Sequence, residues 1–203
     1  MKIAIISGSH RTQSQSEKVA RAVQKMCGER YQLDTWLYSL AGNPLPFWDQ
    51  GVWDGDARWD ILKPLKEHLV AADAFVIVSP EWHGQVPAGL KNFFLLFSKR
   101  ELGHKPALIV TVTSTDASGA YPVAELRMSS YKNNRICYIP EHVIIRRVDK
   151  VLNADAATND AEADAYYRER LTWSLGILKE YAVALKQVRA SGATESDTFK
   201  TGM

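Results

Sequence analysis

Five short apolar runs, separated by longer segments of helical periodicity, constrain the fold of this chain more than any other feature. The runs predict strands at residues 3–6, 33–38, 74–78, 107–112 and 136–139, the last with an extension at 143–145. The segments between and after them predict helices, among them those at about 88–97, 122–131 and 163–188. This alternation is typical of a parallel sheet covered by helices on both faces.

The size of the chain predicts a single domain. With 203 residues and 46% hydrophobic content, we expect one globular domain over residues 1–189 and a small, polar C-terminal tail over 190–203. Five strands connected in this way fit a flavodoxin-like α/β/α sandwich of three layers, with a five-stranded parallel sheet in the order 2-1-3-4-5. Ligands of such sheets bind beyond the carboxyl ends of the strands, where the winding direction reverses, so the loops after strands one, three and four should meet there.

The loop after the first strand is suited to phosphate. It runs Ser7-Gly8-Ser9-His10-Arg11-Thr12-Gln13-Ser14-Gln15-Ser16. It opens a helix, where unpaired N–H groups and the helix dipole favour an anion, and its serine hydroxyls and Arg11 add donors and charge. One glycine is too few for the dinucleotide fingerprint, and the Gly-Lys-Ser/Thr pattern is absent, so we predict a terminal phosphomonoester. An ordinary turn capped by Ser14 or Ser16 is the alternative.

A second loop, after the third strand, adds to the functional evidence from the first loop. It runs Pro80-Glu81-Trp82-His83-Gly84-Gln85-Val86-Pro87-Ala88-Gly89-Leu90-Lys91-Asn92 and leads into a helix. The chain here resembles the NADPH-dependent FMN reductases, a family that includes flavodoxin-like quinone, azo-dye and chromate reductases. The family motif Gly-Ser-x-Arg-x-x-Ser-x-Ser/Asn matches residues 8–16 at every defined position. Its motif Pro-Glu-Tyr-Asn/His-x-x-x-Pro-x-x-Leu-Lys-Asn matches residues 80–92, with Trp82 in place of tyrosine.

The resemblance implies an FMN-dependent oxidoreductase that takes a hydride from NADPH or NADH and reduces free flavin, a quinone, an azo compound or chromate. It implies FMN phosphate contacts in the first loop and ring contacts in the second and third: Ser9, Arg11, Ser14, Gln15, Ser16, Pro80, Glu81, Trp82, His83, Gly84, Ser114 and Gly119. FMN carries the chemistry, so no catalytic side chain and no metal are expected. The alternatives are that Glu81 holds the loop or an interface, and that Trp82 is a packing residue.

The third loop, Thr113 to Gly119, departs from the family pattern. It keeps one glycine where members commonly carry a Ser-x-Gly-x-x-Gly-Gly-like run. Asp116 is unexpected beside a ring that becomes anionic on reduction, because a nearby carboxylate lowers the reduction potential. Exposure to solvent, or capping of the next helix, is the alternative for Asp116.

Two other functions are compatible with the same fold. One is a flavodoxin-type electron carrier that does not oxidise NADPH directly, although flavodoxins tend to be shorter and strongly acidic, whereas the net charge here is +2. The other is a flavin-free relative with a structural or regulatory role, for which the third loop is the only support.

Composition and cysteine spacing also bear on the partners and the cellular location of the protein. No long basic run indicates nucleic acid, and no apolar stretch approaches the roughly 20 residues of a membrane span. Cys27 and Cys137 lack zinc-ligand or disulfide spacing, so we expect a cytoplasmic protein. A small-molecule acceptor is what the resemblance implies. The resemblance implies a homodimer or homotetramer. Two sets of aromatic residues contribute either to that interface or to the packing of their own domain. The first is Trp48 and Trp53, in the irregular segment 41–58. The second is Phe93, Phe94 and Phe97, on the helix after the second motif.

Overall fold

The computed structural model describes residues 1–200. Its sheet consists of β1 (Lys2–Ser7), β2 (Asp34–Ser39), β3 (Ala74–Pro80), β4 (Pro106–Val112) and β5 (Cys137–Ile145). Neighbouring strands are parallel, and their order is β2-β1-β3-β4-β5. The predicted five-stranded parallel sheet and its order are therefore confirmed.

The helices follow the predicted alternation closely. They are α1 (Gln15–Tyr31), α2 (Gly51–Asp54), α3 (Leu62–Ala71), α4 (Ala88–Leu96), α5 (Lys99–Leu102), α6 (Ala120–Ser129) and α7 (Ala161–Ala190), with 3-10 turns at Ala57–Ile61, Val148–Lys150 and Ala156–Thr158. Helix α6 begins two residues before the predicted Pro122, because a proline is tolerated within the first helical turn, where its missing N–H has no partner to lose. Strand β5 is continuous, and a register shift opposite Ala107 and Ile109 accommodates the stretch between its two predicted parts.

A hydrophobic core lies on each face of the sheet. Helices α1 and α7 cover one face, where Val23 and Leu175 pack with Ile3 and Ile5 of β1. Helices α3, α4 and α6 cover the other face, where the intervening β1 residues point. Because β1, β3 and β4 are buried on both faces, their sequences are continuous apolar runs. The structure is thus the expected sandwich of three layers.

The irregular segment between β2 and α3 is tied to the second core. The Trp48 N–H donates to Asn92 Oδ1 at 2.8 Å, and Asn92 Nδ2 donates to the Pro46 carbonyl at 2.9 Å. The rings of Trp48 and Trp53 meet edge to face with their centroids 5.1 Å apart. Trp48 therefore pins the segment to its own domain, whereas Trp53 is 75% exposed. Phe93 of α4 and Phe97, which directly follows α4, belong to this core.

The C-terminal segment after α7 contacts the amino end of the sheet. Arg135 Nη2 donates to the Phe199 carbonyl at 2.7 Å, and Lys99 Nζ lies 3.5 Å from Glu195 Oε2. Residues 201–203 of the predicted tail lie outside the described residues. The division of the chain at residue 190 stays a prediction.

Lys105 is a buried cation at the amino end of β4. It is 5% exposed, and its ammonium group donates to the Leu69 and Val70 carbonyls at 2.7 and 2.9 Å. Burial lowers the pKa of Lys105 from 10.5 to about 8. Between these values the unfolded chain binds a proton that the folded protein has released, so stability must rise with pH.

We expect this effect to be measurable against Lys105→Gln, which removes the titrating group. From about pH 7.5 to about pH 9.5, the free energy of unfolding of the wild type should rise by about 2 kcal/mol relative to the variant. Urea denaturation at each pH measures the difference. Parallel pH profiles for the two proteins would show that Lys105 titrates normally.

Candidate active site

The first predicted loop joins β1 to α1 at the carboxyl edge of the sheet. Its Gly8 N–H donates to the Val78 carbonyl at 2.8 Å, which ties the loop to the end of β3. Ser14 is the N-cap of α1, and its hydroxyl accepts from the Glu17 N–H at 3.0 Å. Ser9 is buried, and its hydroxyl accepts from the Arg11 N–H at 3.3 Å. Ser14 therefore caps α1, as the alternative interpretation expected, and it is the other residues of the loop that offer hydrogen-bond donors.

Those donors are available to a ligand. Within residues 1–200, no protein acceptor takes the backbone N–H groups of Ser9, His10 or residues 12–16. The guanidinium group of Arg11 is exposed and has no carboxylate partner in the same range. A concentration of free N–H groups at a helix N-terminus, beside an unpaired cation, fits the phosphate of a mononucleotide such as FMN.

The second loop forms a tight turn beside the first. The backbones of Trp82 and Gln85 exchange hydrogen bonds of 3.1 and 2.9 Å around His83 and Gly84, whose φ angles are +50° and +71°. Two successive positive φ angles are the signature of a type I′ turn, which glycine adopts freely. The Trp82 ring meets His10 of the first loop edge to face, with centroids 4.6 Å apart. The first two loops are therefore in direct contact.

Glu81 joins the second loop to the third. Its N–H donates to the Val112 carbonyl at 3.1 Å, and its Oε2 accepts from the buried Gly119 N–H at 2.6 Å. Thr111 Oγ1 donates to the Gly119 carbonyl at 2.7 Å, so the peptide groups on both sides of Gly119 are held. The structure therefore assigns Glu81 the bracing role that was one of its alternatives.

Hydroxyl groups and a cation shape the third loop. Thr113, Thr115 and Ser118 form a cluster of hydroxyl contacts, and Arg146 Nε donates to the Ser118 carbonyl at 3.0 Å. Asp116 is exposed and lies 3.3 Å from Arg147 Nε, which offsets its charge. Exposure to solvent is thus the alternative that applies to Asp116.

The predicted residues converge, but they differ in what they present. Ser9, Ser16, Pro80 and Gly119 are buried and contribute mainly backbone. Four other predicted residues have exposed side chains: Arg11, Gln15, His83 and Ser114. The remaining ones, Ser14, Glu81, Trp82 and Gly84, are half-buried at the contacts between the loops.

Some residues that hold the loops in place were not predicted from the sequence. Arg146 holds the third loop, and Glu125 accepts from the Val86 N–H at 2.7 Å while it contacts Lys91 Nζ at 2.5 Å. Asn92, although part of the second motif, has its role in anchoring the segment before α2. These roles depend on contacts between distant segments; only Asn92 and Lys91 carried a sequence signal, as the end of the second motif.

Residues 1–200 contain no group of three or more His, Cys, Asp or Glu side chains arranged to hold a metal ion. In the same part of the chain, no helix has the length and apolar character needed to cross a membrane.

Comparison with known proteins gives relatives of consistent type. A 2-hydroxy-1,4-benzoquinone reductase from Burkholderia sp. is 24% identical over 194 residues, which are 93% of this chain and 98% of that reductase. An NADPH azoreductase from Bacillus sp. (strain OY1-2) is 29% identical over 119 residues, 59% of this chain and 62% of the azoreductase. The quinone reductase of Escherichia coli (strain K12) is 31% identical over 59% of this chain. The matched region spans less than two thirds of the last two proteins, 62% and 64% of their lengths.

Solved structures agree on the fold. The flavoenzyme NAD(P)H:(acceptor) oxidoreductase FerB from Paracoccus denitrificans superposes with a TM-score of 0.68 and 20% sequence identity, over 92% of this chain and 97% of FerB. This likeness supports the flavodoxin-like sandwich.

The sequence profile of one family covers the whole sheet. The family described as NADPH-dependent FMN reductase matches residues 1–150. The match confirms the resemblance seen in the two motifs, and the family's description implies FMN and an NAD(P)H donor. Since the matched region includes β1 to β5 and the three loops at their carboxyl ends, the chain belongs to the NADPH-dependent FMN reductase family.

Proposed function

We propose that the protein uses FMN to transfer electrons from NADPH or NADH to a small acceptor: free flavin, a quinone, an azo compound or chromate. One observation carries the proposal. The first loop, rich in unpaired N–H donors, touches the aromatic second loop beside the winding reversal between β1 and β3. The names of the azoreductase and quinone reductase relatives support the acceptor class.

In this proposal the first loop holds the FMN phosphate. Ser9, Ser14, Gln15 and Ser16 provide N–H or hydroxyl donors, and Arg11 neutralises charge. Hydrogen bonds between a cation or N–H donor and a phosphate are charge-assisted, and therefore stronger than neutral ones. The dipole of α1, a helix of 17 residues, adds favourable potential at the same point.

The second and third loops hold the ring in the same proposal. Pro80 to Gly84 contribute the turn, in which the His83 and Gly84 N–H groups have no acceptor among the described residues. Such N–H groups can donate to the polar edge of the ring and stabilise negative charge that develops there. Ser114 and Gly119 contribute from the third loop, where Glu81 holds the Gly119 backbone in place. Trp82 is oriented by its contact with His10.

FMN, when bound, would supply the redox chemistry that links the nicotinamide donor to the acceptor. The side chains of this protein bind and orient. Hydride transfer needs stacking and alignment, so His83 is assigned contact with the cofactor and no acid or base role. The ion pair of Asp116 with Arg147 limits the negative charge that the third loop presents to the ring.

A homodimer or homotetramer is part of the proposal. A groove of about 770 Å³ between α4 and α6 is lined by Val86, Phe94 and Leu96, with the exposed Leu95 and Trp53 at its rim. Exposed apolar surface of this kind is typical of an interaction face, and here a second copy of the chain is the occupant we propose. Light scattering coupled to size-exclusion chromatography would show twice or four times the monomer mass of 22.8 kDa.

A cytoplasmic location is also proposed. Cys27 is buried and Cys137 half-buried, and both are free thiols. Free thiols suit a reducing compartment, in which disulfides rarely persist.

The activity is tested by adding NADPH to the FMN-loaded protein without oxygen while the visible absorption of the flavin is followed. Prompt bleaching at one equivalent is expected. Chemical reduction by dithionite is the control that the bound flavin is reducible. Flavin that bleaches with dithionite but stays yellow with both NADPH and NADH would identify an electron carrier instead. Failure to bind FMN would favour the flavin-free alternative.

A further inference from the structure

A second cavity lies at the amino end of the sheet. It has a volume of about 290 Å³, and its lining includes Lys99, Arg100, His104, Lys105, Arg189 and Glu195. His104 and Lys105 directly precede β4, whereas the three loops of the proposed FMN site follow carboxyl ends of strands. The seven residues of β4 extend about 20 Å, so the two sites are separate.

The cavity has an excess of positive charge. Lys99, Arg100, Lys105 and Arg189 face a single lining carboxylate, Glu195. Two nearby carboxylates, Glu101 and Asp73, accept hydrogen bonds from groups that do not line the cavity. Glu101 accepts from the Ser98 N–H and hydroxyl at 2.8 Å in the capping box of α5, and Asp73 accepts from the Lys2 N–H at 2.9 Å. Asp73 and Glu101 offset part of the charge of Lys105, but among the described residues the cations still outnumber the carboxylates, and an anion would relieve their repulsion.

Several donors in the cavity are free. Arg189 Nη1 donates to the His104 carbonyl at 2.8 Å, which leaves its other N–H groups available. The Arg100 guanidinium has no hydrogen-bond or carboxylate partner within residues 1–200. Lys99 contacts Glu195 only at 3.5 Å. These groups are of the type that proteins use to bind phosphate oxygens.

His104 adds an unpaired buried atom. Its Nε2 is inaccessible to solvent and has no hydrogen-bond partner in the described residues, and its φ of +53° is uncommon for a residue other than glycine. Its backbone is fixed on both sides, because its N–H donates to the Arg135 carbonyl and its carbonyl accepts from Arg189. His104 therefore forms a wall of the cavity whose backbone is held in place.

We propose that this cavity binds a small tetrahedral dianion: inorganic phosphate, or the phosphomonoester end of a small molecule. Lys99, Arg100 and Arg189 bind its oxygens, and His104 forms part of the wall. The Glu195 carboxylate competes for the same cations. The small volume favours a compact anion over a nucleotide.

The test is isothermal titration calorimetry of the FMN-loaded protein at constant ionic strength, with inorganic phosphate and glycerol 3-phosphate as separate probes. Binding of one equivalent per chain is expected, and the tighter probe distinguishes free phosphate from a phosphomonoester. Arg100→Gln and Lys99→Gln should weaken binding by about tenfold each. Glu195→Gln should tighten binding severalfold, because it removes the competing carboxylate.

Two controls separate this site from others. Lys25→Gln removes an exposed cation of α1 outside the cavity and should leave the affinity unchanged. Arg11→Ala, measured with enough FMN to saturate the first loop, should also leave it unchanged. Absence of saturable binding, equal affinity in Arg100→Gln and wild type, or loss of binding in Arg11→Ala would each overturn the proposal. Circular dichroism of every variant verifies that it is folded.

Discussion

Replacing Gly119 with alanine is expected to destabilise the fold by about 4 kcal/mol, from left-handed backbone strain combined with overpacking. Gly119 has a φ of +105°, and a Cβ atom there would lie 2.3 Å from Ile144 Cγ2 and 3.3 Å from Thr111 Oγ1. The backbone cannot move away readily, because Glu81 and Thr111 hold the peptide groups on both sides. The substitution therefore has to displace part of β5 or break these hydrogen bonds.

Urea denaturation of the protein without FMN measures this loss directly. Gly84→Ala is the matched control within the same site, because its φ is also positive, at +71°, but its Cβ would lie 3.7 Å from Tyr121, an ordinary contact. We expect about 1 kcal/mol for this control, which reports backbone strain alone. Equal losses in the two variants would mean that the space around Gly119 is not restrictive. If the third loop contacts FMN as proposed, Gly119→Ala will also weaken FMN binding.

Replacing Arg11 with alanine is expected to weaken FMN binding about a hundredfold, the equivalent of about 2.7 kcal/mol for a charge-assisted contact with phosphate. Arg11 is exposed and has no carboxylate partner among residues 1–200, so folding should not depend on it. Arg11→Lys should restore part of the affinity, since lysine keeps the charge but loses the planar fork of donors.

Quenching of flavin fluorescence at several salt concentrations measures the affinity. Arg21→Ala is the control, because Arg21 lies nearby on α1 but pairs with Glu17 at 2.6 Å. Its removal should leave the dissociation constant for FMN within about twofold of wild type, as expected for a surface ion pair. The affinity of wild type should fall with salt more steeply than that of Arg11→Ala. An unchanged affinity in Arg11→Ala would remove this residue from the proposed phosphate contacts.

The sheet and the position of its functional edge were predictable from the sequence. Strands such as 74–78 and 107–112 are continuous apolar runs because both of their faces are buried, a pattern that depends on local composition. The parallel connections then place the first and second loops at one edge whatever their side chains do. Residues 8–16 and 80–92 could be recognised for the same reason: each is a contiguous segment whose spacing along the chain is its signal.

Only the tertiary structure decided which residues support those loops and what faces the amino end of the sheet. Glu81 meets Gly119, Arg146 meets Ser118, and Asn92 meets Pro46, across separations that leave no local pattern. The cationic cavity around His104 likewise joins α5, the start of β4 and the end of α7. Local sequence determines strands, turns and helix caps because those depend on neighbouring residues. Pairings between distant side chains exist only once the packed core has brought their backbones together.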